Sequence, residues 1–160
     1  MDSAQIEKVL KNNPPINNCF VGVFASDTLP NPDSLSAPFS LVVNTDPESR
    51  PGTHWVCFYS PSPNTLEYFD SFGMPPKVPS LLGFTRSFDS FKYSKTALQS
   101  EITTQCGPYC CVFLLGRQKG YSMEDIVERM RDGSKLERDA VIGGIISALG
   151  GFKLPLISFW

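Results

Sequence analysis

Thr53-His54-Trp55-Val56-Cys57-Phe58-Tyr59-Ser60-Pro61-Ser62-Pro63-Asn64-Thr65-Leu66-Glu67-Tyr68-Phe69-Asp70 is the stretch on which the fold turns. Its two arms are rich in β-branched and aromatic residues, while Ser60 to Asn64 between them is made of Ser, Pro and Asn. The arms favour strands and the middle favours a turn, so the stretch reads as a β-hairpin. If the strands pair antiparallel, His54 and Asp70 fall at the same end of the sheet. Side chains alternate along a strand, so Leu66, Tyr68 and Asp70 share a face and Glu67 points the other way, towards solvent on this reading.

Upstream, Asp46 to Gly52 is turn-forming, and Phe39 to Asn44 is apolar on both faces, as a central strand is. Residues 25–38 hold three prolines and read as loop; Cys19 to Phe24 reads as a strand. Residues 3–11 form a short helix capped by Ser3, with Ile6, Val9 and Leu10 on one face, stopped by Asn12-Asn13-Pro14-Pro15. Downstream, residues 71–89 are irregular with room for a short helix, and Ser90 to Ser94 is a strand. From Cys106 the pattern is helical. One helix runs to Lys119 and ends near Gly120. Ser122-Met123-Glu124-Asp125 caps a second to about Arg131, and Ser134-Lys135-Leu136-Glu137 caps a third to about Leu149. With no repeat, low-complexity tract or linker, residues 1–160 read as one α+β domain, a mixed central sheet of about five strands packed against helices.

Composition narrows the function classes. The 160 residues are long enough to bury a core, and 41% hydrophobic against 19% charged residues is a globular balance. A net charge of −2 without a long Lys/Arg run supplies no field for nucleic acid or an anionic membrane. No apolar run reaches membrane-spanning length, and Met1-Asp2-Ser3-Ala4-Gln5 lacks the basic-then-apolar layout of a signal peptide; an intracellular, non-secreted protein is expected. Five cysteines, at 19, 57, 106, 110 and 111, are an odd number set partly in apolar runs, which suits reduced thiols. The C-x3-C-C spacing with a single histidine is a poor zinc pattern, and no metal is expected.

The chemistry gathers at Gln105-Cys106-Gly107-Pro108-Tyr109-Cys110-Cys111. A cysteine opening a helix meets unpaired N–H groups and the positive end of the dipole, both of which favour thiolate. Gly107 allows close backbone approach, and Pro108 suits a first turn where its missing N–H costs nothing. The local sequence fits a small core residue equally well, and Cys110 and Cys111 read as core. His54 is the chain's one histidine, so the base of a thiol enzyme is His54 or absent. A histidine on a strand is more often structural than catalytic. Asp70, at a strand end, is the better acid to orient it; Asp89 is a weaker candidate that reads as a loop charge. An oxyanion needs a donor besides the Cys106 N–H. Gln99 can lie across the site on a loop, whereas the side chain of Gln105 should diverge from that of Cys106.

The order His54-Trp55, then Tyr68-Phe69-Asp70-Ser71-Phe72-Gly73, then Gln99, then Cys106-Gly107 with Cys110-Cys111-Val112-Phe113-Leu114, resembles the adenovirus-type cysteine endopeptidases (the adenain family), in the clan of the ubiquitin-like-protein proteases. Gln99 precedes Cys106 by seven positions, as in adenain. Weaker similarity takes in Cys19 to Phe24 and Phe39 to Thr45, so the resemblance covers about residues 5–118. It implies the cysteine-protease fold of that clan, with Cys106 as nucleophile at a helix N-terminus, His54 as general base and acid, Asp70 as orienting carboxylate and Gln99 as oxyanion donor. Trp55 would help to wall a narrow substrate groove. It further implies a viral or virus-like endopeptidase acting through a thioester on capsid and core precursors at glycine-containing sites, in host nucleus or cytoplasm and in the virion. A deubiquitinase or ubiquitin-like-modifier protease would share the same four residues. A binding module that has lost activity is disfavoured, because all four positions are filled.

The departures are specific. Asp70 stands where the adenovirus enzymes commonly have Glu. Their activating viral peptide is joined through a cysteine between acid and nucleophile, and this chain has none between Cys57 and Cys106. An activating peptide would therefore bind without a disulfide. The acidic balance argues against DNA as an activator. A monomer with protein substrates and no other cofactor is expected.

Overall fold

The computed structural model describes residues 1–13 and 18–151. Its centre is a five-stranded mixed sheet in the order β1 (Phe20–Phe24), β2 (Phe39–Asn44), β3 (Trp55–Ser62), β4 (Thr65–Phe69), β5 (Ser90–Tyr93). β3 runs antiparallel to both β2 and β4, whereas the outer pairs β1–β2 and β4–β5 are parallel. Parallel pairs need crossovers. The loop of residues 25–38 makes the first. The second carries α2 (Pro79–Thr85), the short helix for which residues 71–89 had room. The remaining helices are α1 (Ser3–Lys11), α3 (Cys106–Gln118), α4 (Met123–Arg129) and α5 (Lys135–Gly151). This is the α+β arrangement expected from the hydrophobic pattern.

Both faces of the sheet are covered. Phe20, Val42, Cys57 and Phe69 pack with Ile6, Tyr109, Cys110, Phe113, Ile126 and Ile142 from the large helices. Leu41, Val43, Val56, Phe58, Leu66 and Tyr68 pack on the other face with Leu81 and Phe84 of α2. Every residue of β2 is buried, and Phe39, Leu41, Val42 and Val43 give it apolar side chains on both faces, as a strand sandwiched between two cores requires.

Two-sided burial corrects one expectation. Glu67 does not face solvent: it is 2% exposed and meets Arg117 of α3, at 2.7 Å through Nε and 3.1 Å through Nη2. Alternation placed it on the face opposite Leu66 correctly, but that face lies under α3. Lys92 of β5 adds a contact at 3.2 Å, and the Arg117 guanidinium lies 4.6 Å from the centre of the Tyr59 ring.

Two smaller corrections concern ends. The cap of α1 is Asp2 rather than Ser3. Its carboxylate accepts from Gln5 N at 2.8 Å, and Gln5 Oε1 accepts from Asp2 N at 3.0 Å, a reciprocal box that Ser3, inside the helix, cannot make. Asn12 ends that helix; Pro14 and Pro15, expected to stop it, lie outside the described residues. The hairpin turn is also tighter than Ser60 to Asn64, because β3 continues to Ser62. Tyr59 pairs with Glu67 and Ser62 with Thr65, so Ser60 and Pro61 together oppose Leu66. This bulge is where a proline without an N–H can sit in a strand. The expected boxes Ser122/Asp125 and Ser134/Glu137 both form.

Candidate active site

The hairpin delivers two of the side chains. His54 lies one residue before β3 and Asp70 one residue after β4, and antiparallel pairing sets them side by side. His54 Nε2 is 3.0 Å from Asp70 Oδ1. The same Oδ1 accepts the Phe72 N–H at 2.8 Å, which fixes the carboxylate from behind. The Phe72 ring lies 5.1 Å from the imidazole, closing its other side. The turn closes through Gly73 N–H donating to Asp70 O at 2.9 Å. Gly73 is at φ +69°, and a Cβ there would come within 2.7 to 2.8 Å of the backbone of Thr96 and Lys95. Only glycine fits that turn without strain.

The third side chain arrives on α3. Cys110, one turn into α3, bonds through Sγ to Trp55 O at 3.5 Å, and Cys57 Sγ lies 3.9 Å from Cys110 O. These two core thiols seat the helix on β3, with its first residue, Cys106, beside His54. The Cys106 thiol and the imidazole are close enough for each to shift the other's proton affinity. Asp70 takes Nε2, which leaves Nδ1 for the thiol. Backbone N–H groups of Trp55 and Gly107 also point at the sulfur. Gln105 places no side-chain cap on α3, and Pro108 has no N–H to offer, so the helix's first N–H groups are left for an anion.

Electrostatics follow this geometry. Burial pushes the Cys106 thiol up, but the His54 hydrogen bond, the Trp55 N–H, the His54 charge and the Gly107 N–H together hold it below the ordinary thiol range. Burial likewise pushes His54 down. Its bonds to Asp70 and Cys106 and the charges of both outweigh this and raise it to about 9. Proton affinity thus moves from sulfur to imidazole. Cys110 and Cys111, fully buried, are pushed the other way by desolvation, which makes them inert core residues.

Gln99 is 1% exposed and its amide is held at both ends. Oε1 accepts from Ser71 Oγ at 2.7 Å, and Nε2 donates to Thr103 O at 2.7 Å. The backbone N–H groups of Leu98 and Gln99 both donate to Ser71 O, at 2.8 and 3.0 Å. The Gln99 loop is therefore stitched to the residue after Asp70, and the amide keeps one further N–H to give. Gln105 diverges: its side chain packs at Gly143 of α5 and lines a cavity of about 730 Å³ with Thr104, Pro108 and Gln5. Trp55 is half-buried, donates from Nε1 to Met1 O at 3.0 Å, and borders a cavity of about 400 Å³. Asp89 is exposed in the turn before β5 and takes no part.

Sequence reasoning did not single out Ser71, Phe72 or Thr103, which fix the acid and the amide. It also passed over Asp139 of α5, 2% exposed, which accepts from Ser100 N at 3.0 Å, Thr103 Oγ1 at 2.5 Å and Tyr109 Oη at 2.9 Å. Its helical spacing from the buried Ile142 and Ile146 was the available signal. All five cysteines are free thiols. Among the described residues no group of three or more His, Cys, Asp or Glu could hold a metal ion, and no helix is long and apolar enough to cross a membrane.

Fold and site together define an α+β protein with a thiol, an imidazole and a carboxylate side by side where a helix N-terminus meets the end of the central strand. No protein-family model matches the chain, and no curated protein matches it. Among solved structures it is similar to the central domain of the uncharacterized Lpg1148 protein from Legionella pneumophila, with 12% identity and a TM-score of 0.54 over 93% of this chain and 97% of that one. That likeness is one of fold. It is also similar to the ASFV pS273R protease, with 23% identity and a TM-score of 0.45 over 63% of this chain. The chain spans 40% of the length of that protein.

Proposed function

We propose that this protein is a cysteine peptidase of the adenain and ubiquitin-like-protein-protease type. The observation that carries the reading is His54 standing 3.0 Å from Asp70 and beside the Cys106 thiol, which opens a helix whose N-terminus has no side-chain cap. Such a row makes a thiolate–imidazolium pair at neutral pH. The thiolate attacks a peptide carbonyl carbon, and the C=O electron pair moves onto oxygen. The Cys106 N–H and the free N–H of Gln99 hold the resulting oxyanion. His54 gives its proton to the leaving amine, and a thioester on Cys106 remains. His54, now neutral, takes a proton from water as it attacks; the thioester collapses to a carboxylic acid and the thiolate returns. Asp70 keeps the imidazole oriented and supports its positive charge.

The substrate we propose is a viral or virus-like capsid or core precursor, cut at glycine-containing sites during virion maturation. The motif resemblance and the spacing of seven from Gln99 to Cys106 support this reading. An activating peptide, if the reaction needs one, would bind without a disulfide, and the enzyme would work as a monomer inside the host cell.

Purified protein is incubated with glycine-rich peptides and, separately, with a ubiquitin-like vinyl-sulfone probe. Cleavage by the wild type and none by Cys106→Ala is the expected result. Labelling of Cys106 by the vinyl sulfone would shift the substrate to ubiquitin-like modifiers. No cleavage of any peptide, with Cys106 alkylated no faster than the other thiols, would overturn the enzyme reading.

A further inference from the structure

We propose that Asp139 is a positioning residue whose two carboxylate oxygens set the nucleophile's helix against the oxyanion donor's loop; the inference rests on the peptidase reading above. Oδ1 accepts from Tyr109 Oη at 2.9 Å, and Tyr109 lies three residues after Cys106 on α3. Oδ2 accepts from Ser100 N at 3.0 Å and from Thr103 Oγ1 at 2.5 Å, both in the loop that begins at Gln99. The Thr103 carbonyl in turn accepts from Gln99 Nε2 at 2.7 Å. One buried carboxylate therefore has an oxygen on α3 and an oxygen on the Gln99 loop. Its connections reach the nucleophile through α3 and the Gln99 amide through Thr103.

The position is costly for a carboxylate that only fills space. Asp139 is 2% exposed, no cation pairs with it among the described residues, and its partners are neutral donors. Burying an anion against neutral donors is tolerated when their geometry is good, and it fixes that geometry in return. Without it, Ser100 N–H loses its acceptor and Thr103 Oγ1 keeps only Ser100 O at 3.2 Å, so the loop is left with its internal bonds and those to Ser71. Ser71 bonds Gln99 Oε1 and two backbone N–H groups but does not touch α3. The loop runs into α3 at Cys106, and among the described residues Asp139 adds the side-chain bridge between Ser100 and Thr103 of the loop and Tyr109 of the helix. This gives α5, which follows the part of the chain carrying the recognised motifs, a part in the reaction.

Asparagine at this position should preserve the bridge. Its Oδ1 can accept from Ser100 and Thr103 while its amide donates to the Tyr109 hydroxyl, which can act as acceptor. Alanine breaks both arms. The test compares kcat, KM, Cys106 alkylation against pH, and the melting temperature for wild type, Asp139→Ala, Asp139→Asn, Gln99→Ala and the Gln99→Ala/Asp139→Ala double variant. For Gln99→Ala a loss of about 100-fold in kcat is expected, the usual size for an oxyanion donor. Asp139→Ala should lose about tenfold or more in kcat with KM little changed, and Asp139→Asn should stay within about threefold of wild type. The double variant should be no slower than Gln99→Ala, because Asp139 acts through Gln99. The alkylation profile should not move in any of the four variants, since the His54–Cys106 pair is untouched.

Losses that multiply in the double variant, an Asn no better than Ala, or an alkylation profile that moves with kcat would each overturn the positioning role. If Asp139→Ala melts too low to assay, Asp139→Asn and Tyr109→Phe, which removes one arm, decide by the same kcat comparison. A wild type that cleaves nothing overturns the peptidase reading itself, and that outcome is distinct from any difference among the variants.

Discussion

At neutral pH an ordinary thiol holds its proton and an ordinary imidazole is mostly neutral. His54 and Cys106 depart from both habits in opposite directions. The sign of each shift makes a pH profile that can be measured. Cys106 sits below the thiol range, so its alkylation by iodoacetamide should already be fast near neutrality and level off below the pH where a free thiol reaches half-ionisation. The plateau should hold until His54 loses its proton near pH 9. In His54→Ala the hydrogen bond and charge are gone while burial remains, so the thiol's ionisation should climb to the ordinary range or beyond. An unchanged profile would show that His54 does not govern the sulfur. Asp70→Asn keeps the shape and removes the charge; the alkaline limit of the plateau should move down from about 9, and kcat should fall with it. Folding raises the His54 pKa, so its contribution to stability is whole below pH 6.5, its ordinary value, and is lost as pH climbs through about 9. The lowered Cys106 thiol contributes with the opposite sign, so the reading is a difference: as pH rises from 6.5 to about 9, the urea midpoint of wild type should lose ground relative to that of Asp70→Asn.

Elements hold these residues in register, and two of the supports can be tested apart from the chemistry. The turn after β4 depends on Gly73. Gly73→Ala forces a side chain into φ +69° and within 2.7 to 2.8 Å of the Thr96 and Lys95 backbone. A loss of at least about 2 kcal/mol in stability is expected from the conformational cost and the contact together. Because the same turn carries the Phe72 N–H that fixes Asp70, kcat at a temperature where the variant is fully folded should fall more than KM rises. The second support joins β4 to α3 through Glu67 and Arg117. Arg117→Met leaves a buried carboxylate with only the half-exposed Lys92, and about 3 to 5 kcal/mol is expected to go. Replacing both, as Glu67→Leu with Arg117→Met, should recover most of it, because the pair's mutual attraction chiefly offsets its own burial. Thermal unfolding of the two single variants and the double one checks this; a double variant as weak as Arg117→Met alone would contradict it.

Across the whole molecule, what could be read in advance was what local pattern determines. Phe39 to Asn44 announced a strand buried on both faces because Phe39, Leu41, Val42 and Val43 put apolar side chains on both. The pairing of His54 with Asp70 was legible because a hairpin brings its two ends together whatever packs on it. Ser122/Asp125 and Ser134/Glu137 marked helix starts three residues from their own partners. Glu67 was misread because alternation tells which face a residue is on and not what covers that face. Asp139 escaped because an acid on a helix ordinarily points to water, and its partners Tyr109 and Ser100 lie 30 and 39 residues away in the chain. The seating of α3 on β3, which brings Cys106 to His54, rests likewise on contacts between Cys57 and Cys110, 53 residues apart. That seating sorts the cysteines into two kinds. Cys57, Cys110 and Cys111 are wholly buried, and burial raises Cys110 and Cys111; Cys19 is 7% exposed and burial raises it too, against hydrogen bonds from Ser40 and Gln118. Cys106 is 6% exposed, hardly different from Cys19 in access, yet His54 and the neighbouring N–H groups lower its thiol where burial raises that of Cys19. Access alone predicts equal alkylation of the two; ionisation predicts that Cys106 reacts first. Intact mass after brief iodoacetamide treatment at pH 7 should show one adduct on the native protein, absent in Cys106→Ala, and five after unfolding in urea. Two adducts on the native protein at equal rates would mean that exposure governs these thiols, and the helix N-terminus would then have no claim to an activated nucleophile.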